Sequence, residues 1–91
     1  MKLTVKITTP TTEEKYLDGF KADLTNHGFD CTWQHYRRGI YIPGHPESQE
    51  NGSEFLLTRH VRGPKGLFYW LLFVDALAHI TLDCPKVEIL E

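Results

Sequence analysis

Histidine and cysteine are the residue types of this chain best suited to metal binding or nucleophilic chemistry. The sequence holds five histidines and two cysteines. Zinc sites usually take their ligands as close pairs, such as C-x-x-C or two histidines one helical turn apart. No such pair occurs here, since Cys31 and His35 fall on one extended segment while His60 and Cys84 lie elsewhere along the chain. We therefore predict no metal site, no cofactor and no catalytic residue.

All four arginines lie in one part of the chain. Residues 35–65 hold five Lys/Arg against three Asp/Glu, although the formal net charge of the protein is -2. The arginines are Arg37, Arg38, Arg59 and Arg62. A guanidinium group binds carboxylates and phosphates through two parallel hydrogen bonds. We expect this cluster to bind an anionic group of a partner, unless glutamates of the same segment neutralise it.

Aromatic side chains accompany the arginines on two predicted strands. If the hairpin between these strands is symmetric about Ser48, Arg37 lies opposite Arg59, and Tyr36 lies opposite His60. Like charges that face each other across a sheet are unfavourable, so this pair would favour an anionic ligand. Aromatic residues and arginine are also typical of the side chains that carry most of the binding energy at interfaces. The predicted partner-binding surface consists of Trp33, Tyr36, Arg37, Arg38, Arg59, His60 and Arg62.

The hydrophobic pattern predicts six elements in the order β-α-β-β-α-β. Strict alternation of polar and apolar residues over 2–8 is typical of a strand with one buried face. Apolar residues at helical spacing in two later segments favour helices. The predicted strands cover residues 2–8, 31–42, 53–62 and 80–90, the predicted helices cover 13–27 and 65–79, and an exposed loop covers 43–52.

Individual residues mark the boundaries of these elements. Thr11 and Glu14 form a capping-box pattern at the start of the first helix, and Gly28 suits a left-handed cap at its end. Gly39 marks an irregularity in the second strand. Two alternatives stay open there. One is a bulge that turns the aromatic residues inward, and the other is a hairpin in place of one long strand. Pro85 favours an edge position for the last strand, because proline donates no hydrogen bond to a neighbouring strand.

This order of elements in one domain, residues 1–91, is typical of the ferredoxin-like plait. It is an α+β fold in which two helices cover one face of a four-stranded antiparallel sheet with strand order 4-1-3-2. The second and fourth strands then lie at opposite edges. Cys31 and Cys84 are about three strand spacings of ~4.8 Å apart in that arrangement, too far for a disulfide bond. We therefore predict two free thiols.

The second predicted helix is apolar around most of its circumference. One stripe suffices for the core, yet Phe68, Tyr69, Leu72 and Phe73 extend the apolar surface to the other side. A helix that is apolar nearly all round is normally buried nearly all round. We predict a homodimer, or a complex with another protein, through these four residues. The alternative is that the loops and the C-terminal strand fold over them.

Composition and charge exclude several classes of function. A net charge of -2 excludes a uniformly basic nucleic-acid-binding domain. The first predicted strand also lacks the aromatic residue on which an RNA-recognition sheet stacks bases. The longest apolar run, residues 67–74, is too short to span a membrane. Two cysteines without a signal-peptide pattern favour a cytoplasmic protein.

The remaining pattern favours a small non-enzymatic protein-binding domain that uses the arginine and aromatic surface. Its size suits an inhibitor or adaptor of a larger macromolecular complex, including phage-type inhibitors of bacterial defence. Two alternatives stay open. One is a small dimeric enzyme or ligand-binding domain whose pocket is lined by Trp33, His35, Tyr36 and His60. The other is a single-stranded nucleic-acid binder, whose affinity would fall steeply with salt.

Overall fold

The computed structural model of this protein describes residues 1–39 and 49–90, with the side chains of 1–36 and 51–90. Its elements are β1 (Lys2–Thr9), α1 (Glu14–Asn26), β2 (Asp30–Gly39), β3 (Gln49–His60), α2 (Gly63–Thr81) and β4 (Lys86–Leu90). The strands form one antiparallel sheet in the order β2-β3-β1-β4, which is 4-1-3-2 when counted from the β4 edge. The protein is therefore a small α+β protein with a four-stranded antiparallel sheet and two helices.

The central strand β1 has one fully buried face. It pairs with β3 on one side and with β4 on the other. Leu3, Val5 and Ile7 are at most 1% exposed, whereas the residues between them are half-buried on the opposite face. Complete burial of an aliphatic side chain of this size contributes about 1.5–3 kcal/mol. The alternation seen in the sequence thus fixes which face of the sheet the core covers.

Both helices pack on this buried face. Phe20 of α1 meets Phe55 of β3 edge to face, with ring centroids 4.9 Å apart. From α2, Val74 and Ala78 are completely buried in the same core. The other core positions of α1 are Leu17 and Leu24. The sheet therefore has one face covered by helices and one open face.

The predicted extent of α1 is correct to within one residue at each end, but the predicted capping box does not form. The N-cap residue is Glu13, without a side-chain cap, because the Thr11 hydroxyl accepts a hydrogen bond from the Asp83 N–H instead (2.9 Å). At the other end Gly28 has a φ of 86°, in the left-handed region that favours glycine. The Phe29 N–H then donates to the Leu24 carbonyl at 3.0 Å. This bond closes the last turn of the helix, as the Gly-Phe pair predicts.

Buried hydroxyl groups tie the segment between α2 and β4 to the end of β1. The Thr9 hydroxyl donates its one hydrogen to the Asp83 carbonyl (2.6 Å). The Thr11 hydroxyl, 3.1 Å away, must therefore donate to the Thr9 oxygen. Ser53 adds a bond from its hydroxyl to the Thr11 carbonyl (2.8 Å). This short polar network replaces the predicted capping box and holds three distant parts of the chain together.

Several predicted boundaries differ from the structure. Residues 80–81 were predicted as strand but end α2, because the helical spacing of apolar residues continues through Ile80. Gln49–Gly52, predicted as loop, begin β3. Pro85 directly precedes β4, which is an edge strand as predicted. The rest of the predicted strand and loop over 40–48 lies outside the described residues.

The predicted register of the hairpin is wrong. Because β3 already begins at Gln49, Tyr36 pairs with Gly52 and Arg37 pairs with Asn51. The residue paired with Arg59 on the β1 side is Leu3. Arg37 and Arg59 therefore do not face each other across β2 and β3, and neither do Tyr36 and His60.

Gly52 lies where the strands leave no space for a side chain. A Cβ atom there would be 2.4 Å from the Thr9 carbonyl oxygen and 2.8 Å from the Tyr36 hydroxyl. We expect Gly52→Ala to lower the free energy of unfolding by about 2–3 kcal/mol, because the backbone contact cannot be relieved by rotating a side chain. Urea unfolding followed by circular dichroism measures this loss.

A matched control is Gly19→Ala in α1, where a new Cβ meets nothing within 4 Å. That variant should gain about 0.5–1 kcal/mol, since alanine favours helix more than glycine does. Equal urea midpoints for Gly52→Ala and the unmodified protein would contradict the close strand packing at this position.

Candidate interaction surfaces

The side of α2 that faces away from the sheet exposes a row of large apolar residues. Phe68 is 68% exposed, Tyr69 62%, Leu72 61% and Ile80 83%. Residues three, four and seven apart on a helix lie on the same side, so these groups form one stripe opposite Val74. We call this the outer face of α2, and it comprises Lys65, Phe68, Tyr69, Leu72, Asp75, Ala76, His79 and Ile80.

Three of the four predicted dimer residues belong to the outer face. The fourth, Phe73, is half-buried, since its ring lies 4.7 Å from the His27 ring and 5.5 Å from the Trp70 ring. Among the described residues, neither the connections nor β4 cover the outer face, because its apolar groups stay more than half exposed. The alternative, in which the loops and the last strand cover this face, is therefore not found in this part of the chain.

Sequence reasoning missed Ile80 as a member of this stripe. Residues 80–90 were assigned to a strand, which removed Ile80 from the helix. The signal that identifies it is the four-residue spacing of Phe68, Leu72, Ala76 and Ile80, which continues one turn past the predicted helix end.

Arg59, predicted to bind a partner, is half-buried and makes several contacts within the protein. Its Nε donates to the His27 carbonyl (2.9 Å) and its Nη1 donates to the His60 carbonyl (2.6 Å). Its guanidinium carbon lies 3.8 Å from the centre of the Trp70 ring. A guanidinium group is well suited to contact with the face of an aromatic ring. The hydrogen bond to His27 attaches the same side chain to the end of α1. The side chain thus joins α1, β3 and α2.

The other predicted partner-binding residues are dispersed. Arg62 is exposed just before α2, and the Trp33 indole N–H donates to an Asp18 carboxylate oxygen (3.2 Å) on α1. The side chains of Arg37 and Arg38 lie outside the described residues. The binding role of the seven-residue surface stays a prediction, but Arg59 is separated from the rest by its internal contacts.

The depressions that the described residues form do not bring the four residues of the predicted pocket together. His35 and Tyr36 border a shallow depression with Thr12 and Asn51. Trp33 borders a second depression, between β2 and β3, and His60 a third, beside Lys2 and Arg59. The structure therefore places these residues in three separate open depressions on the protein surface.

His35 and Ser53 come within hydrogen-bond distance, yet their arrangement does not suit nucleophilic catalysis. The His35 Nδ1 atom is 3.2 Å from the Ser53 hydroxyl oxygen. Ser53 is completely buried, and its hydroxyl donates to the Thr11 carbonyl. A nucleophilic serine must reach its substrate and give its proton to the base. Because that proton is already bound to a carbonyl, the pair supports the fold.

The two cysteines are free, as predicted, and differ in environment. Cys31 is buried and Cys84 is exposed. Burial raises the pKa of the Cys31 thiol to about 11, against a smaller opposite effect of Lys21. A thiol with a raised pKa carries little thiolate near neutral pH and is a poor nucleophile. Among the described residues, no group of three or more His, Cys, Asp or Glu side chains is placed to hold a metal ion.

Comparison with known proteins gives no family assignment. No protein-family model matches the sequence, and no curated protein matches it. Over residues 1–39 and 49–90, neither helix combines the length and apolar character needed to cross a membrane. The function must therefore be inferred from the fold and its surfaces.

Replacement of Arg59 tests whether this residue stabilises the fold. Arg59→Ala should lower the free energy of unfolding by about 1–2 kcal/mol, because it removes the stacking on Trp70 and leaves the His27 carbonyl without its donor. Arg62→Ala, an exposed arginine three residues away, should change it by less than about 0.5 kcal/mol.

Urea unfolding of both variants measures the difference. If the two variants lose the same small amount of stability, the guanidinium group of Arg59 is free, and its sequence-based assignment to the binding surface regains support.

Proposed function

We propose that this protein is a small protein-binding domain and that the outer face of α2 is its binding surface. The observation that carries the proposal is the exposure of Phe68, Tyr69, Leu72 and Ile80 on a single helix face. Exposed apolar patches larger than a few hundred square ångströms are rare on monomeric domains and often mark interaction sites. Aromatic side chains in such a patch are typical of interfaces.

The scaffold we propose for this surface is the ferredoxin-like plait. Support comes from the β-α-β-β-α-β order, the antiparallel sheet with β1 and β3 at its centre, and the packing of both helices on one face. In such a domain each helix needs only one apolar stripe for the core. The second stripe of α2 therefore has no role in the fold of a single chain.

The open face of the sheet is a weaker candidate for protein binding. On β1 it carries Lys2, Thr4, Lys6 and Thr8, which are polar and suit contact with water. Lys6 also forms an ion pair with Glu54 of β3 at 3.8 Å. Surface pairs of this kind contribute little to stability and are common on solvated sheet faces. The apolar content of the outer face of α2 favours that surface instead.

An inhibitor or adaptor role stays a prediction based on size. A domain that presents one binding face can act by occupying the surface of a larger protein or by joining two proteins.

Site-specific photo-cross-linking tests the proposed surface. A benzophenone amino acid in place of Tyr69 should give covalent protein adducts in the cells that naturally make the protein, because this position lies in the middle of the stripe. The matched control places the same group at Ala22, which is exposed on the solvent side of α1. We expect at least ten times more adduct from position 69 than from position 22.

Adduct mass then identifies the bound protein. Absence of adducts at position 69, or equal yields at positions 69 and 22, would overturn the assignment of this face.

A further inference from the structure

We infer that the outer face of α2 binds the same face of a second copy of this chain, with the two helices antiparallel about a two-fold axis at Leu72. The inference rests on the proposed function, because it names the partner of that surface. Three properties of the face support it, namely residue size, charge and area.

Residue sizes along the face are complementary when it is paired with itself. In a two-fold interface, residue i of one copy contacts residue j of the other, and j contacts i. With Leu72 on the axis, Phe68 lies opposite Ala76 of the other copy, since each is four residues from Leu72. A large ring thus faces a methyl group in both halves of the interface. This alternation lets two helices approach closely without a gap or a clash.

Charges along the face favour the antiparallel direction. Lys65 lies in the first turn of α2, whereas Asp75 lies in its second half, where a carboxylate oxygen is 3.6 Å from the Nδ1 atom of His79. Lys65 and His79 are both seven residues from Leu72. An antiparallel pair therefore places the Lys65 ammonium group beside the turn that holds the Asp75 carboxylate of the other copy. A parallel pair would bring Lys65 against Lys65 and align the helix dipoles unfavourably.

The size of the face suits a weak dimer. A large side chain of this type buries about 150–250 Å², so the exposed parts of Phe68, Tyr69, Leu72 and Ile80 supply about 500 Å² per copy. The total of about 1,000 Å² is at the lower limit for a specific interface. We therefore expect a dimer with a dissociation constant in the micromolar range, populated at high local concentration.

Disulfide cross-linking tests the geometry of this dimer. The background is Cys84→Ser, which removes the exposed thiol, while Cys31 stays because it is buried and its pKa is raised. In this background Leu72→Cys should form a disulfide-linked dimer under mild oxidation, because a residue on the axis meets its own copy. Ala22→Cys on α1 is the control, because it measures how much disulfide-linked dimer forms by random collision.

Two further variants distinguish antiparallel from parallel pairing. Phe68→Cys and Ala76→Cys should each cross-link poorly alone, since neither meets its own copy. A mixture of the two should give at least five times more dimer than either variant by itself. Urea unfolding of each variant confirms that it is folded.

Each remaining outcome overturns the inference in a recognisable way. Efficient self-cross-linking of Phe68→Cys indicates parallel pairing. Background-level cross-linking of every α2 variant shows that the second copy is not the partner. In that case, a photo-adduct at position 69 whose mass matches a different protein leaves the proposed function intact. The absence of any adduct contradicts both this inference and the proposed function.

Discussion

The apolar side chains of β1 all lie on one side of the sheet, and this constraint organises the rest of the molecule. Leu3, Val5 and Ile7 are almost completely buried in the middle of the sheet. Because β1 lies between β3 and β4, these three residues are at the centre of the sheet. Both helices pack on the face where they lie. On β1 the open face then carries polar side chains. A two-layer protein of this kind buries one side of each helix against the sheet and exposes the opposite side to solvent.

The second helix, α2, has more apolar surface than this arrangement uses. Its inner side supplies Val74 and Ala78 to the core, with partly buried neighbours around them. Its outer side also carries large apolar residues, and no other described part of the chain covers them. We propose that another chain buries this face, and the self-complementary sizes and charges of the face favour a second copy.

Local signals in the sequence predicted the features that depend on near neighbours. The alternation in β1, the Gly28 cap of α1 and three of the exposed apolar residues of α2 were recognisable, because each rests on residues within a few positions. Features that depend on distant partners were not predictable. Thr11 fails to cap α1 because its hydroxyl binds Asp83, far along the chain. Arg59 stacks on Trp70 of another element, and the hairpin register depends on where β3 begins.

The most direct test of the self-association of α2 is sedimentation velocity over concentrations from about 1 µM to 1 mM, the range in which a weak dimer forms. The unmodified protein should change from monomer to dimer as its concentration rises. Leu72→Glu should stay monomeric throughout, because it places two carboxylates together on the two-fold axis. If the unmodified protein is monomeric at the highest concentration, or if Leu72→Glu dimerises equally well, the outer face of α2 does not join two copies.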